Sequence, residues 1–123
     1  MTAEQPQWMD AMEQANHIRL RMAEGKRLIT AGEISAVEVF RCPEDPRFAP
    51  MRVTAILESQ RRWAATRTGK FLTEVTRNRS LYRDKSIGQT RLRDLTPRER
   101  EILAEEVERV NPNHDNEGDG HLG

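Results

Sequence analysis

The sequence predicts an all-α fold, and three observations carry that reading. Apolar residues recur three or four positions apart wherever they cluster, with no stretch of the strict alternation a half-buried strand needs. Thr96-Pro97-Arg98-Glu99 is a capping box with proline at the first helical position, a strong local start signal. The chain has 123 residues, 36% of them apolar, enough for one small core and no second one. Five or six helices between about Ala15 and Val110 follow from these patterns.

The first element runs from Gln7 to about Ala31, where Trp8, Met12, Ala15, Ile18, Met22 and Ile29 fall at helical spacing. Its polar side gathers Arg19, Arg21, Lys26 and Arg27. Gly25 weakens it by about 1 kcal/mol relative to alanine, and Gly32 is placed to terminate it. Residues 1–14 are expected to be mobile or frayed. Ile34, Ala36, Val37, Val39 and Phe40 then read as a short helix packed on the core, the alternative being a strand, for which nothing nearby offers a pairing partner. Residues 41–49 hold Pro43 and Pro46 among polar neighbours and read as a loop, with Cys42 a partly buried thiol that has no second cysteine to pair with.

Pro50 suits the first turn of a helix whose buried face is Val53, Ala55, Ile56 and Leu57 and which stops near Trp63. Thr66 to Gly69 is short and polar, and Phe71, Leu72 and Val75 follow at helical spacing. The stretch therefore reads as a helical hairpin with Gly69 in its turn, at the start of the second helix. Amide groups at a helix start are unpaired and partly positive, so Gly69 with Arg67, Thr68 and Lys70 forms a candidate phosphate clamp. The plainer alternative is a glycine that only makes a turn. After Val75 comes a polar, basic connection anchored by Leu81 and Tyr82. A short helix or turn built on Ile87, Leu92 and Leu95 follows, with Arg91 and Arg93 projecting beside it. The closing helix from Thr96 buries Ile102, Leu103 and Val107. Residues 111–123, rich in Asn, Asp and Gly, are expected to form a disordered acidic tail, with His114 and His121 solvated there and not holding a metal.

A net charge of zero conceals strong segregation. Residues 47–93 carry twelve bases and three acids (+9), whereas 94–123 carry three bases and nine acids (−6). A block of that size suggests a basic face for a polyanion, against the alternative of arginines lining solvated helix faces. No nucleophile elbow, phosphate-binding Walker loop, zinc-protease motif or pair of acids in apolar surroundings is present, so neither catalysis nor a cofactor is expected. No apolar run approaches the 18 to 20 or so residues of a membrane span, and the acidic first ten residues are unlike a signal peptide. A cytoplasmic location is expected.

With these residues in hand, the chain resembles the actinobacterial integration host factor family of small nucleoid-associated proteins. The resemblance begins at Ala31-Gly32-Glu33-Ile34, strengthens at Met51-Arg52-Val53-Thr54-Ala55-Ile56-Leu57-Glu58, continues through Gly69-Lys70 and ends with Arg91-Leu92-Arg93-Asp94-Leu95 and the helix of Arg98, Arg100 and Leu103. It implies a long N-terminal helix leading into a compact helix-two-turns-helix domain of about four to five helices. It also implies binding of double-stranded DNA through phosphates with little sequence preference, in support of site-specific recombination or compaction. Carried over to matching positions, Gly69 and Lys70 would meet the backbone in one place and Arg91 and Arg93 in another; apart from the resemblance, the bases Lys26, Arg27, Arg61 and Arg62 are candidate secondary contacts. The protein would be a nucleoid-associated monomer in solution, with a recombinase as a partner on the same DNA. The competing readings are a structured-RNA-binding protein using the same hairpin and a protein-interaction module.

Overall fold

The computed structural model describes residues 7–82 and 86–111, with side chains from Asp10 onward. Among them are five α-helices, two single-turn 3-10 helices and no strand: α1 (Gln7–Thr30), α2 (Ala36–Arg41), α3 (Val53–Glu58), α4 (Ala65–Arg79), the 3-10 turns Ile87–Gln89 and Leu92–Asp94, and α5 (Pro97–Val110). The protein is all-α. None of these helices is long and apolar enough to cross a membrane. Residues 112–123, and with them most of the expected acidic tail, lie outside the described residues, as do residues 1–6 and the bases Arg83 and Lys85.

α1 has Asp10 in its first turn and Arg27 in its last, matching the helix dipole at both ends. It stops as Gly32 predicts: that residue has φ +81°, its N–H reaches Ile29 O at 3.0 Å, and the Glu33 N–H reaches Leu28 O at 3.0 Å. This is the paired hydrogen-bond pattern that a left-handed glycine allows at a helix end. Only the last turns of α1 join the body. Leu28 and Ile29 are buried, and Gly25 is covered because Phe48 lies against it: a Cβ there would fall 2.8 Å from the Phe48 ring and 3.2 Å from Arg47 O. The helix glycine is thus a site of close packing. Residues 10–21 are exposed throughout, Met12 by 60% and Leu20 by 67%.

α2 is held by a second capping box. Ser35 Oγ accepts from the Glu38 N–H at 3.1 Å, and Glu38 Oε1 accepts from the Ser35 N–H at 2.9 Å. The helix packs most extensively on α5, where Val39 and Phe40 meet the buried face of Ile102, Leu103, Ala104 and Val107 within one continuous core. Arg41 ties the two together outside, 3.0 Å from Glu101 and 3.7 Å from Glu108. Cys42, expected to be partly buried, is exposed just past the end of α2.

The hairpin departs from expectation in two ways. Pro50 does not open a helix: residues 49–52 run extended or in turns, and α3 starts at Val53. The turn between α3 and α4 covers residues 59–64, and its left-handed residue is Arg62, at φ 69°, not a glycine. Trp63 is buried in that turn and packs edge-on against Phe71, with ring centroids 5.1 Å apart. α4 ends at Ser80, itself left-handed at φ 58°, and the following Leu81 is 2% exposed. Leu81 is thus an anchor as its apolar character predicts, whereas its companion Tyr82 is 71% exposed. The α5 capping box forms as its sequence predicts, Thr96 Oγ1 accepting from the Glu99 N–H at 3.1 Å.

Candidate nucleic-acid interface

Two distant segments close the fold and create a feature the sequence does not announce. Residues 49–53 run antiparallel to 90–93: the Val53 N–H donates to Thr90 O (3.0 Å), the Leu92 N–H to Met51 O (2.8 Å) and the Arg93 N–H to Ala49 O (3.0 Å). Arg52 and Arg91 sit opposite each other in this bridge. The bonds lie between their neighbours, which makes theirs the close, non-hydrogen-bonded kind of pair, with Cα atoms about 4.5 Å apart. Both side chains are exposed, and like charges directly opposite are destabilising. Arg52 donates to Gln89 Oε1 at 3.2 Å, and no carboxylate among the described residues answers either guanidinium.

Thr54, two residues on from Arg52, lines an open groove of about 600 Å³ between α4 and the α3–3-10 segment. Leu72, Leu81 and Ile87 form its apolar floor, while Gly69, Thr73 and Arg77 of α4 face Thr54 and Ser86 across it. Gly88 sets the closeness of the two walls, because a Cβ on it would lie 2.8 Å from Leu72 Cδ1 and 2.9 Å from Thr54 Cγ2. Gly69 is different: nothing lies within 4 Å of where its Cβ would be. It occupies the fifth position of α4, inside the helix and exposed.

That placement corrects the predicted clamp. The Thr68 N–H already bonds to Ala64 O at 3.0 Å, so Gly69 lies past the unpaired amides of the helix start. Thr68 faces inward, 1% exposed, and cannot reach a ligand; its Oγ1 has no hydrogen-bond partner, for which the structure offers no reason. Arg67 is on the far side of α4 from Gly69, where its guanidinium stacks 4.5 Å over the Trp63 ring and donates to Asn111 Oδ1 at 3.4 Å. Successive helical residues point about 100° apart, which is why three neighbours that look like one cluster in sequence separate to three directions.

Lys70, Arg91 and Arg93 are exposed where a polyanion could reach them, and none makes an ion pair or side-chain hydrogen bond among the described residues. Arg77, on the same face of α4 as Lys70, joins them, as does Arg52; the sequence alone singles out neither. Other arginines are committed elsewhere. Arg79 binds Glu105 and Glu106, Arg47 binds Asp45, Arg98 donates to Arg79 O and Arg100 to Leu95 O. The expected secondary sites gather at the other end of α3 from Arg52. Arg61 and Arg62 occupy the turn after that end, and Thr30, close after Lys26 and Arg27 in α1, donates to Ser59 O at 2.7 Å. All four of these bases are exposed.

Among the described residues no cluster of His, Cys, Asp or Glu could hold a metal ion. No protein-family model, curated protein or solved structure matches the chain.

Proposed function

We propose that this protein is an architectural DNA-binding protein of the integration-host-factor-like, nucleoid-associated kind, gripping duplex DNA by its phosphates with little regard to sequence. The observation that carries the reading is the division of its cations. Arg41, Arg47, Arg79, Arg98, Arg100 and Arg109 are neutralised or hydrogen-bonded within the fold. Arg77, in contrast, lines an open groove with Lys70 on the same face of α4, and Arg52 lies opposite Arg91 where the chain closes, two residues from Arg93; none of the five has a carboxylate partner among the described residues. Burying charge costs free energy unless it is paired, and holding like charges together costs more, so such cations are stable only when exposed and are well used only against an anion. The order of elements after α4, two single turns and then α5, supports the helix-two-turns-helix assignment implied by the sequence resemblance. A recombinase working on the same DNA fits an architectural role.

Electrophoretic mobility shift over a salt series tests this. If four to six phosphates are neutralised, log K against log salt falls with a slope of roughly −3.5 to −5.5. Lys70→Ala, Arg52→Ala and the double change Arg91→Ala with Arg93→Ala each lower affinity and make the slope shallower by roughly one for every phosphate no longer neutralised. Arg98→Ala and Arg100→Ala leave both unchanged. Equal losses at Lys70 and Arg100 would point to a diffuse basic surface, and preference for double-stranded RNA over DNA would favour the RNA reading.

A further inference from the structure

We infer that the groove beside Gly69 seats a single unstacked nucleobase, so that the preferred ligand is DNA carrying an extrahelical or unpaired nucleotide. The inference rests on the DNA-binding reading and adds a ligand to a surface which phosphate contacts alone leave unused.

The chemistry of the groove is what a base requires. Its floor of Leu72, Leu81 and Ile87 is apolar, and Tyr82 at its lip is 71% exposed although the adjoining Leu81 is 2% exposed and fixes the backbone there. A flat aromatic ring held at the edge of an apolar floor is a stacking platform, and stacking tolerates any base because every base has a π face. Thr54, Thr73 and Ser86 line the same groove, and a hydroxyl both donates and accepts, as a base edge requires; Ser86 Oγ already accepts from the Gly88 N–H at 3.2 Å and keeps its own proton to donate. Arg77 lines it too, and Lys70 lies on the same face of α4, so the linking phosphate would meet positive charge. The absence of a side chain at Gly69 leaves open space where the strand would pass. Bases inside a duplex are stacked and out of reach, and a groove open to solvent admits one still attached to its strand. An apolar peptide side chain could use the same floor, but it would leave Arg77 and Lys70 without a counter-charge.

The test compares three probes against the wild-type protein and Tyr82→Ala: an intact duplex, the same duplex with a single-nucleotide bulge, and deoxyadenosine monophosphate followed by amide chemical shifts. The bulged duplex should bind roughly tenfold more tightly than the intact one. Tyr82→Ala should remove that difference and leave intact-duplex affinity unchanged, and the mononucleotide should shift Gly69, Thr73 and Ser86. Equal affinity for bulged and intact duplex, or a bulge preference that survives Tyr82→Ala, overturns the inference while duplex binding stands. A bulge preference lost in Tyr82→Ala without any affinity for the intact duplex supports the groove and removes the duplex reading. No binding to any probe, or shifts confined to residues outside the groove, rejects it.

Discussion

At Glu106 burial and charge act in opposition. The residue is 7% exposed; burial pushes its carboxyl up, and hydrogen bonds from Arg109 and Arg79, at 2.6 and 2.7 Å, more than offset this and hold it below the ordinary value of 4.5. A carboxyl that is more acidic in the folded chain contributes stability that is complete above its unfolded value and lost as pH falls through the folded one. Asp45, held low mainly by its hydrogen bond from Arg47, acts in the same sense. Acid unfolding should therefore set in below about pH 4.5. Glu106→Gln should cost about 2 kcal/mol at neutral pH, the worth of hydrogen bonds to a charged group, and should flatten the acid limb of a urea-melt series between about pH 3 and 7. An unchanged limb would mean that the Arg79–Glu106–Arg109 cluster contributes nothing.

At the scale of the element, the two helix glycines should respond in opposite directions. Alanine at Gly69 meets open space and gains helix propensity, so stability should rise by up to about 1 kcal/mol, while affinity for the bulged duplex, whose strand would pass there, falls. Alanine at Gly25 drives a methyl into the Phe48 ring and should cost about 1–3 kcal/mol despite the same gain. Thermal melts of the two variants, with a binding titration for the first, check both. Sequence alone reads Gly25 as a weak point in a helix and Gly69 as a turn residue, and it does not distinguish their packing, because that difference lies in what a distant segment brings against them. The features legible in sequence are local. The Thr96 capping box, the Gly32 terminus and the apolar spacing of α1, α4 and α5 each depend on residues within a few positions of one another. The α3–α4 turn is not legible, because the cap of α4 is Ala64, which has no side chain to accept a hydrogen bond, and the left-handed position falls to Arg62. With the start of α4 displaced from its expected place, Arg67 and Thr68 turn away from the face that carries Lys70. Lys70, Arg91 and Arg93 are legible as exposed bases; Arg52 becomes a candidate only once the chain closes on itself.

Across the whole molecule, neutrality is the sum of opposed regions. Exposed cations lie on α1, in the α3–α4 turn and beside the groove that Arg77 lines, while α5 spends Glu101, Glu105, Glu106 and Glu108 on Arg41, Arg79 and Arg109. Those acids are engaged within the fold and so are poorly placed to compete with a polyanion for the unpaired arginines. α1, about 36 Å long at 1.5 Å per residue, is tied to this body only through its last turns.

If an anion binds at the bridge between Arg52 and Arg91, folding and anion occupancy become one equilibrium. Folding sets two exposed arginines opposite each other that the unfolded chain lets drift apart, so an anion that bridges their side chains would bind the native state alone. Such a ligand adds about 2.7 kcal/mol of stability at a hundred times its dissociation constant. Phosphate titrated at constant ionic strength should therefore raise the melting temperature, and Arg91→Ala should abolish the response; an equal rise in the variant would make it a general solvent effect. A protein that takes up DNA through this pair would be tightened at the seam where its two halves of sequence meet, and DNA leaving it would loosen that seam again.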